Sequence, residues 1–464
     1  MASLSRQLAQ WIVGLQYEHL PPAVVDRARG VTLQCLSSIL LGANSKPARE
    51  ARDMVMAEEE GVKNGATILV HGGRATRGGA AFVNSEMAFS GGKWDTFRML
   101  MHPGTSVIPA ALAAAEATGA SGREFLTAVA AGYEVPERLA AEVIPTLMAR
   151  GFHASPVFGI FGAAVAAAKI YKLDEEQTNS AIALAASMAG GNLEGARSGG
   201  RLLREGAAVR NALLAVALAR QGHPGGETVL EGEAGFYHAY IGNNRGELTH
   251  SFSGKTRTDL SEVTKDLGRE WIFLETLYRI YSLSGYNIAH IDLTARLCEE
   301  NDIRAEDIES IEAVVNWLET QYPSPAFPSR REDLIHKPGS TAYFIAYAAV
   351  ARGFPMLRDW APQTANAGDP PQALELMQRV SLIPAHNMPL FGPRITIRTR
   401  NGKSYTVQGT GREFIWDFEE QARRIRPITS GLPITAERFE EIIAACRGLD
   451  TLTRADALVP LMLK

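Results

Sequence analysis

Little in this 464-residue chain points to the commonest cofactor or cross-linking chemistries. Its three cysteines, Cys35, Cys298 and Cys446, are widely spaced, with no C-x-x-C pair and no histidine at ligand spacing. A disulfide framework is thereby excluded and a structural zinc site disfavoured, and the cysteines read as small buried apolar residues. There is no Walker A loop, no strand-borne G-x-G-x-x-G, no H-E-x-x-H and no G-x-S-x-G elbow. Nucleotide, zinc-protease and serine-hydrolase readings lose their footing. Neither sign of charge dominates: 47 Lys and Arg stand against 51 Asp and Glu, a net of −4. A general nucleic-acid or membrane-surface role would need a basic face, so any anion site must be a local cluster of cations. No apolar run approaches the roughly 20 residues that span a bilayer, and Met1 to Leu8 carries no hydrophobic signal region. The expectation is a soluble, cytoplasmic protein without a nucleic-acid or membrane partner.

Alanine and glycine are plentiful instead. The apolar fraction of 46% and charged fraction of 21% are ordinary for a globular protein, and the length asks for two domains or three. Leu4 to Leu15 and Pro22 to Leu41 repeat apolar residues at helical spacing. Ala110 to Thr118, Gly122 to Ile144, Gly159 to Tyr171, Glu175 to Met188 and Gly206 to Arg220 are helices of small residues, which let axes approach closely. After about residue 250 the character changes. Ile308 to Trp317 predicts a strand, and Arg394 to Val407 predicts a hairpin around Asn401-Gly402. With helical patterns at Asn287 to Glu300 and Ser340 to Ala351, this section reads as an α+β domain, and Ala436 to Leu449 returns to helix.

Two histidines stand out because each precedes a small-residue helix. His102 lies in Met101-His102-Pro103-Gly104, and His153 in Gly151-Phe152-His153-Ala154-Ser155-Pro156. Ser155 and Pro156 read as N-cap and first helical residue. A histidine at that end feels the positive pole of the helix, which favours neutral imidazole and attracts anions. Neutral imidazole beside an anion site is what proton abstraction from a carboxylate substrate requires. Single buried histidines are more often structural, but two in matching turns balance that alternative.

Three further groups could accompany them. Gly195 to Arg210 carries Arg197, Arg201, Arg204 and Arg210 among glycines, either a carboxylate clamp or a solvated face paired with Glu194 and Glu205. Tyr278, Arg279, Tyr281, Tyr286, His290 and Asp292 gather where the α+β section begins, as a ligand cleft or an aromatic interface. Lys93-Trp94-Asp95-Thr96 lies just upstream of His102, where Asp95 or Thr96 orients a substrate group or caps a turn.

In order and spacing these segments resemble the MmgE/PrpD family, which includes 2-methylcitrate dehydratase, cis-aconitate decarboxylase and iminodisuccinate epimerase. The likeness is carried by Asn84 to Gly104, by Gly151 to His153 with the helix that follows, and by Gly206 to Asn211. Val229 to Phe236 and Tyr281 to Asp292 add to it. The resemblance implies a homodimer with the active site in the cleft between domains, no metal or organic cofactor, and a small polycarboxylate substrate. His102 and His153 match the family's two active-site histidines, and Thr96 matches its site threonine. The chain departs in three segments: Gly92 replaces the first acid of an Asp-Phe-Asp-Asp-Thr motif, Arg201 and Arg204 replace a lysine and a histidine, and Arg279 replaces a lysine. Arginine keeps the anion site but does not readily exchange a proton at neutral pH, which points away from a standard dehydratase or decarboxylase of the family.

The expected fold is mainly α: a large all-helical domain built from both chain ends (1–270, with 411–464 rejoining it) plus a smaller inserted α+β lid domain (271–410). The expected activity is a lyase acting on a small di- or tricarboxylate by proton abstraction next to a carboxylate. His102, His153 and Tyr281 would be catalytic; Asp95, Thr96, Arg201, Arg204 and Arg279 would bind substrate. The alternatives are an epimerase or isomerase of a dicarboxylate, and a non-catalytic anion-binding homologue.

Overall fold

Close helix packing through small side chains organises the first compact unit, Met1–Leu248 with Arg257–Ile280 and Trp416–Lys464. The computed structural model describes residues 2–59, 61–99, 101–194, 200–280, 287–321, 324, 326–327, 336–353 and 369–464, with side chains for all of these except 200–203. Eleven helices come first: α1 (Leu4–Gly14), α2 (Pro22–Gly42), α3 (Lys46–Glu59), α4 (Arg77–Gly91), α5 (Gly104–Thr118), α6 (Gly122–Ala140), α7 (Ile144–Ala149), α8 (Ala154–Ile170), α9 (Glu175–Ser187), α10 (Gly200–Arg220) and α11 (Phe236–Ile241), counted among the described residues. There are two short antiparallel pairs, a local one of β1 (Ala66–Thr67) with β2 (Arg74–Ala75), and one that joins distant segments, β3 (Asp95–Thr96) with β4 (Leu277–Tyr278). Helices expected from Ala110 and Gly206 begin earlier, at Gly104 and Gly200, and the run from Gly122 breaks into α6 and α7.

Helix α8 occupies the middle. Every residue in it except Lys169 is buried, and it packs against α5, α6, α9 and α10. An all-round apolar helix has no solvent face to offer, so the centre of the bundle is where it belongs. Lys169 turns its Nζ onto the carbonyls of Ile12 (2.7 Å) and Val13 (3.0 Å) at the end of α1. Where α6 crosses α8, glycines meet: a Cβ on Gly162 would lie 2.6 Å from the carbonyl oxygen of Gly132. Backbone cannot move aside as a side chain can, so Gly162→Ala is expected to cost about 2 kcal/mol in urea denaturation. An unchanged midpoint and slope would show that the crossing tolerates the methyl.

The second unit, Thr249–Thr256 with Tyr281–Ile415, has its own core. It contains α12 (Asn287–Glu300), β5 (Ile308–Asn316), α13 (Thr341–Ala351), α14 (Pro371–Met377), β6 (Val380–Ala385), β7 (Arg394–Thr399) and β8 (Ser404–Gln408). The sheet order is β6-β5-β7-β8, with β5 parallel to β6 and antiparallel to β7. Ile311, Ala313, Ile395 and Ile397 cover one core with Leu293 and Leu297 of α12 and Tyr343 and Ala346 of α13. The predicted hairpin is β7–β8, with Gly402 at φ +82° in its loop. Strand β6 escapes sequence reading because it is short and contains Pro384, which a sheet accommodates at an edge. The chain then returns to the first unit with α15 (Phe418–Ile425), α16 (Ala436–Arg447) and α17 (Leu458–Leu461). The protein is thus mainly α, and among the described residues no helix is long and apolar enough to cross a membrane.

Candidate active site

Two helix N-termini meet in the first unit, and one serine ties them together. His102 stands two residues before α5, at the end of a tight turn from β3 that is closed by the bridge of Phe97 to Met101. His153 directly precedes α8. Ser155 Oγ accepts from the backbone N–H of His102 at 3.3 Å, while its own N–H donates to His153 Nδ1 at 3.2 Å. The expectation that Ser155 caps α8 is therefore corrected: His153 is the N-cap, Ser155 lies inside the first turn, and Pro156 is the third helical residue. The imidazole accepts from the orphan Ser155 amide in the first turn of α8, and the serine hydroxyl, not engaged in capping, accepts from His102 instead.

These partners assign both tautomers. His102 Nδ1 lies 2.9 Å from the carbonyl oxygen of Asp95 and 3.3 Å from Thr96 Oγ1. A carbonyl only accepts, so Nδ1 carries the proton and Nε2 of the neutral ring keeps its lone pair. His153 is the opposite case. Its Nδ1 receives a backbone N–H and carries no proton, so the neutral ring has its N–H at Nε2. The two rings thus differ in which nitrogen carries the proton when neutral. Both are buried, at 4% and 5% exposure, and the His153 backbone N–H is anchored on Gly191 O at 2.9 Å.

Asp95 supports this arrangement from behind. Its carboxylate accepts from the Gly104 N–H at the start of α5 and from the Tyr133 hydroxyl of α6. Burial pushes the Asp95 carboxyl up to about 6, against the pull of those two donors, and burial likewise pushes Tyr133 well up. Gly92 ends α4 with φ +73°, a left-handed conformation that suits glycine.

Aromatic rings and guanidiniums complete the site. Phe89 stacks on Trp94 at 4.5 Å, and Trp94 lies 4.6 Å from His102. The Arg279 guanidinium is 4.4 Å from the Trp94 ring centroid. Arg204 lies 5.8 Å from that of Phe89, and its Cδ passes beside Gly191, the residue that anchors His153. Its side chain is 8% exposed, with Nε 3.4 Å from Glu205 Oε1, and buried Nη1 has no hydrogen-bond partner among the described residues. A solvated charged face is thereby corrected for Arg204: the cation is inside. Next to it Glu86 is buried, accepts from Gly206 N at 3.1 Å, and is held well above the ordinary carboxyl range by burial.

Of the residues singled out in the sequence, the structure thus gathers Asp95, Thr96, His102, His153, Arg204 and Arg279. Tyr281 and the Arg201 side chain lie outside the described residues. His290 belongs to the second unit, with Nε2 3.5 Å from Glu319 Oε2, and burial pushes that carboxyl up to about 8. Sequence reading missed Tyr133 and Glu86. The available signal was a polar residue at a position where helical periodicity demands an apolar one.

The site is thus a pair of buried histidines at two helix starts with arginine side chains nearby, set in a mainly helical protein. The MmgE/PrpD N-terminal domain model matches residues 6–249, and the chain belongs to the MmgE/PrpD family. It is 25% identical to the cis-aconitate decarboxylase-like protein oryM of Aspergillus oryzae, over 99% of this chain and 97% of that protein. Identity to the human cis-aconitate decarboxylase is 25%, over 100% of this chain and 95% of that protein, and the mouse protein stands at 26% with 100% and 94%.

Proposed function

We propose that this protein is a lyase that removes a proton next to a carboxylate of a small di- or tricarboxylate, with acid and base supplied by its own histidines. The observation that carries the reading is the opposed tautomer pair, His102 with a lone pair at Nε2 and His153 with a proton there, bridged by Ser155. His102 Nε2 takes the α-proton, and the electron pair forms the new C=C bond. The hydroxyl on the adjacent carbon, to which His153 Nε2–H donates a hydrogen bond, leaves as water with the proton that His102 Nε2 has taken, so that both rings end the step neutral. Arg204 and Arg279 neutralise the carboxylates, which makes the α-hydrogen more acidic. The kinship with proteins named cis-aconitate decarboxylase supports a carboxylate substrate, and in a decarboxylation the same groups would manage the proton that replaces carbon dioxide. Epimerisation is the second reading, because a base on one ring and a hydrogen-bond donor on the other also suit removal and return of one proton.

Proton NMR in deuterated water tests this on citrate, 2-methylcitrate, cis-aconitate, tartrate and aspartate-like diacids. A vinylic product from a hydroxy acid establishes the dehydratase, and loss of cis-aconitate with carbon dioxide release establishes the decarboxylase. Loss of an α-proton signal without a new product establishes the epimerase. Binding of these acids with neither turnover nor exchange sinks all three. Arg204→Gln is expected to raise KM for an accepted acid by about tenfold, since a charged hydrogen bond is worth about 1.5–3 kcal/mol; an unchanged KM would remove Arg204 from the carboxylate site.

A further inference from the structure

Trp94 holds more of this site together than its apolar character requires. Its indole Nε1–H donates to the carbonyls of Ala88 (3.2 Å) and Phe89 (3.0 Å), and Phe89 stacks on the ring, so the indole plane is fixed at the end of α4. The same ring has His102 at 4.6 Å and the Arg279 guanidinium at 4.4 Å. Backbone contacts set the register of the two residues: Arg279 N–H donates to Trp94 O at 2.9 Å. The Gln34 amide of α2 reaches both carbonyls, Arg279 O at 2.8 Å and Trp94 O at 3.3 Å. Gln34 is in turn held by Gln421 of α15, whose Nε2 donates to its Oε1 at 2.8 Å. Segments from the start, middle and end of the chain thus fix the backbone of Arg279 beside Trp94, and the ring meets its guanidinium.

We propose that Trp94 is a positioning residue that orders Arg279 over its ring next to His102, so that carboxylate recognition and proton abstraction occur side by side. Stacking engages the face of a guanidinium, while its N–H groups lie in the plane that a carboxylate meets. An arginine already ordered in the empty protein loses less side-chain freedom when it binds an anion. The ligand class is a carboxylate whose acidic C–H lies within the reach of one side chain of that charge. The proposal rests on the reading of Arg279 as a carboxylate-binding group given above.

The test is a double-mutant cycle with tricarballylate, an unreactive tricarboxylate, as the probe in titration calorimetry. Trp94→Leu is expected to weaken binding about tenfold in the wild-type background and less than about twofold in Arg279→Leu, while Trp94→Phe, which keeps a ring face, stays within about threefold of wild type. Equal losses in both backgrounds, or no loss, overturn the proposal. The wild-type protein gives a second readout that survives a misfolded variant. Ring current should move the Arg279 Nε–H proton upfield of the ordinary arginine range, and a resonance inside that range overturns the proposal. Tricarballylate binding with coupling but no turnover of any polycarboxylate sinks the lyase reading and leaves this inference standing. Turnover without coupling does the reverse, and no tricarballylate binding by the wild type overturns this inference while the lyase reading is decided by the NMR panel.

Discussion

Replacing His102 by glutamine is expected to abolish solvent exchange of the substrate α-proton and to lower kcat by about 10³, within the range that a positioned acid or base contributes. The reason lies in one hydrogen bond. Asp95 O fixes the proton on Nδ1, which leaves Nε2 as the basic nitrogen. Glutamine retains an N–H that can donate to the same carbonyl but offers no comparable base, so the fold should survive and the proton transfer should not. His153→Gln is expected to behave differently: its amide oxygen can still cap α8, but the hydrogen bond from Nε2–H to the leaving hydroxyl is lost. Exchange of the α-proton should then persist while elimination slows by about tenfold, the worth of one hydrogen bond to the leaving hydroxyl. The measurement is α-proton washout in deuterated water, followed by NMR beside product formation. Exchange in the His102 variant and none in the His153 variant would invert the assignment.

The second large effect concerns the buried pair of Asp95 and Tyr133. Tyr133→Phe is expected to destabilise the protein by about 3 kcal/mol at pH 8, since it removes a donor from a buried carboxylate. The loss should shrink at pH 4, where the carboxyl is protonated. The pH dependence has a definite sign. Burial raises the folded Asp95 carboxyl to about 6, above its ordinary 3.8, so the folded state binds the proton more tightly. The stabilisation this group gives is complete below about pH 4 and is lost as pH rises through 6. Two units correspond to about 3 kcal/mol, and Asp95→Asn should gain up to that amount on wild type between pH 4 and pH 8. Urea denaturation at both pH values checks each variant, and parallel stability curves would mean that Asp95 does not titrate in this range.

Much of the architecture was legible because it is local. The small-residue segments read as helices are helices α5, α6, α8, α9 and α10, and Asn287 to Glu300 is a helix with those limits. The strand from Ile308 and the hairpin around Asn401-Gly402 are strands β5, β7 and β8. Helices α3 and α4 fell within a stretch read as almost continuous helix without being singled out, and strand β6, whose partner β5 lies far away in the chain, was not read. Of the site, the sequence marked Asp95, Thr96, His102, His153, Arg204 and Arg279: the histidines because they lie in Gly- and Pro-bounded turns before alanine-rich helices, Arg204 because it clusters with other arginines among glycines, and Arg279 because it lies among phenols where the α+β section begins. It misplaced the cap of α8, since Ser-Pro is a good local start signal and only the bundle brings Ser155 to the His102 amide.

By itself, then, the sequence determined that this is a mainly helical protein with two histidines at helix starts and cations close by, because periodicity and turn chemistry need only neighbouring residues. The tertiary structure alone decided which imidazole nitrogen carries a proton, that Asp95 faces Tyr133, and that Arg279 lies on Trp94. Those outcomes depend on a partner's position in space, a carbonyl, an amide, a phenol or a ring, and the packing of α5, α6, α8 and the β3–β4 pair sets that position.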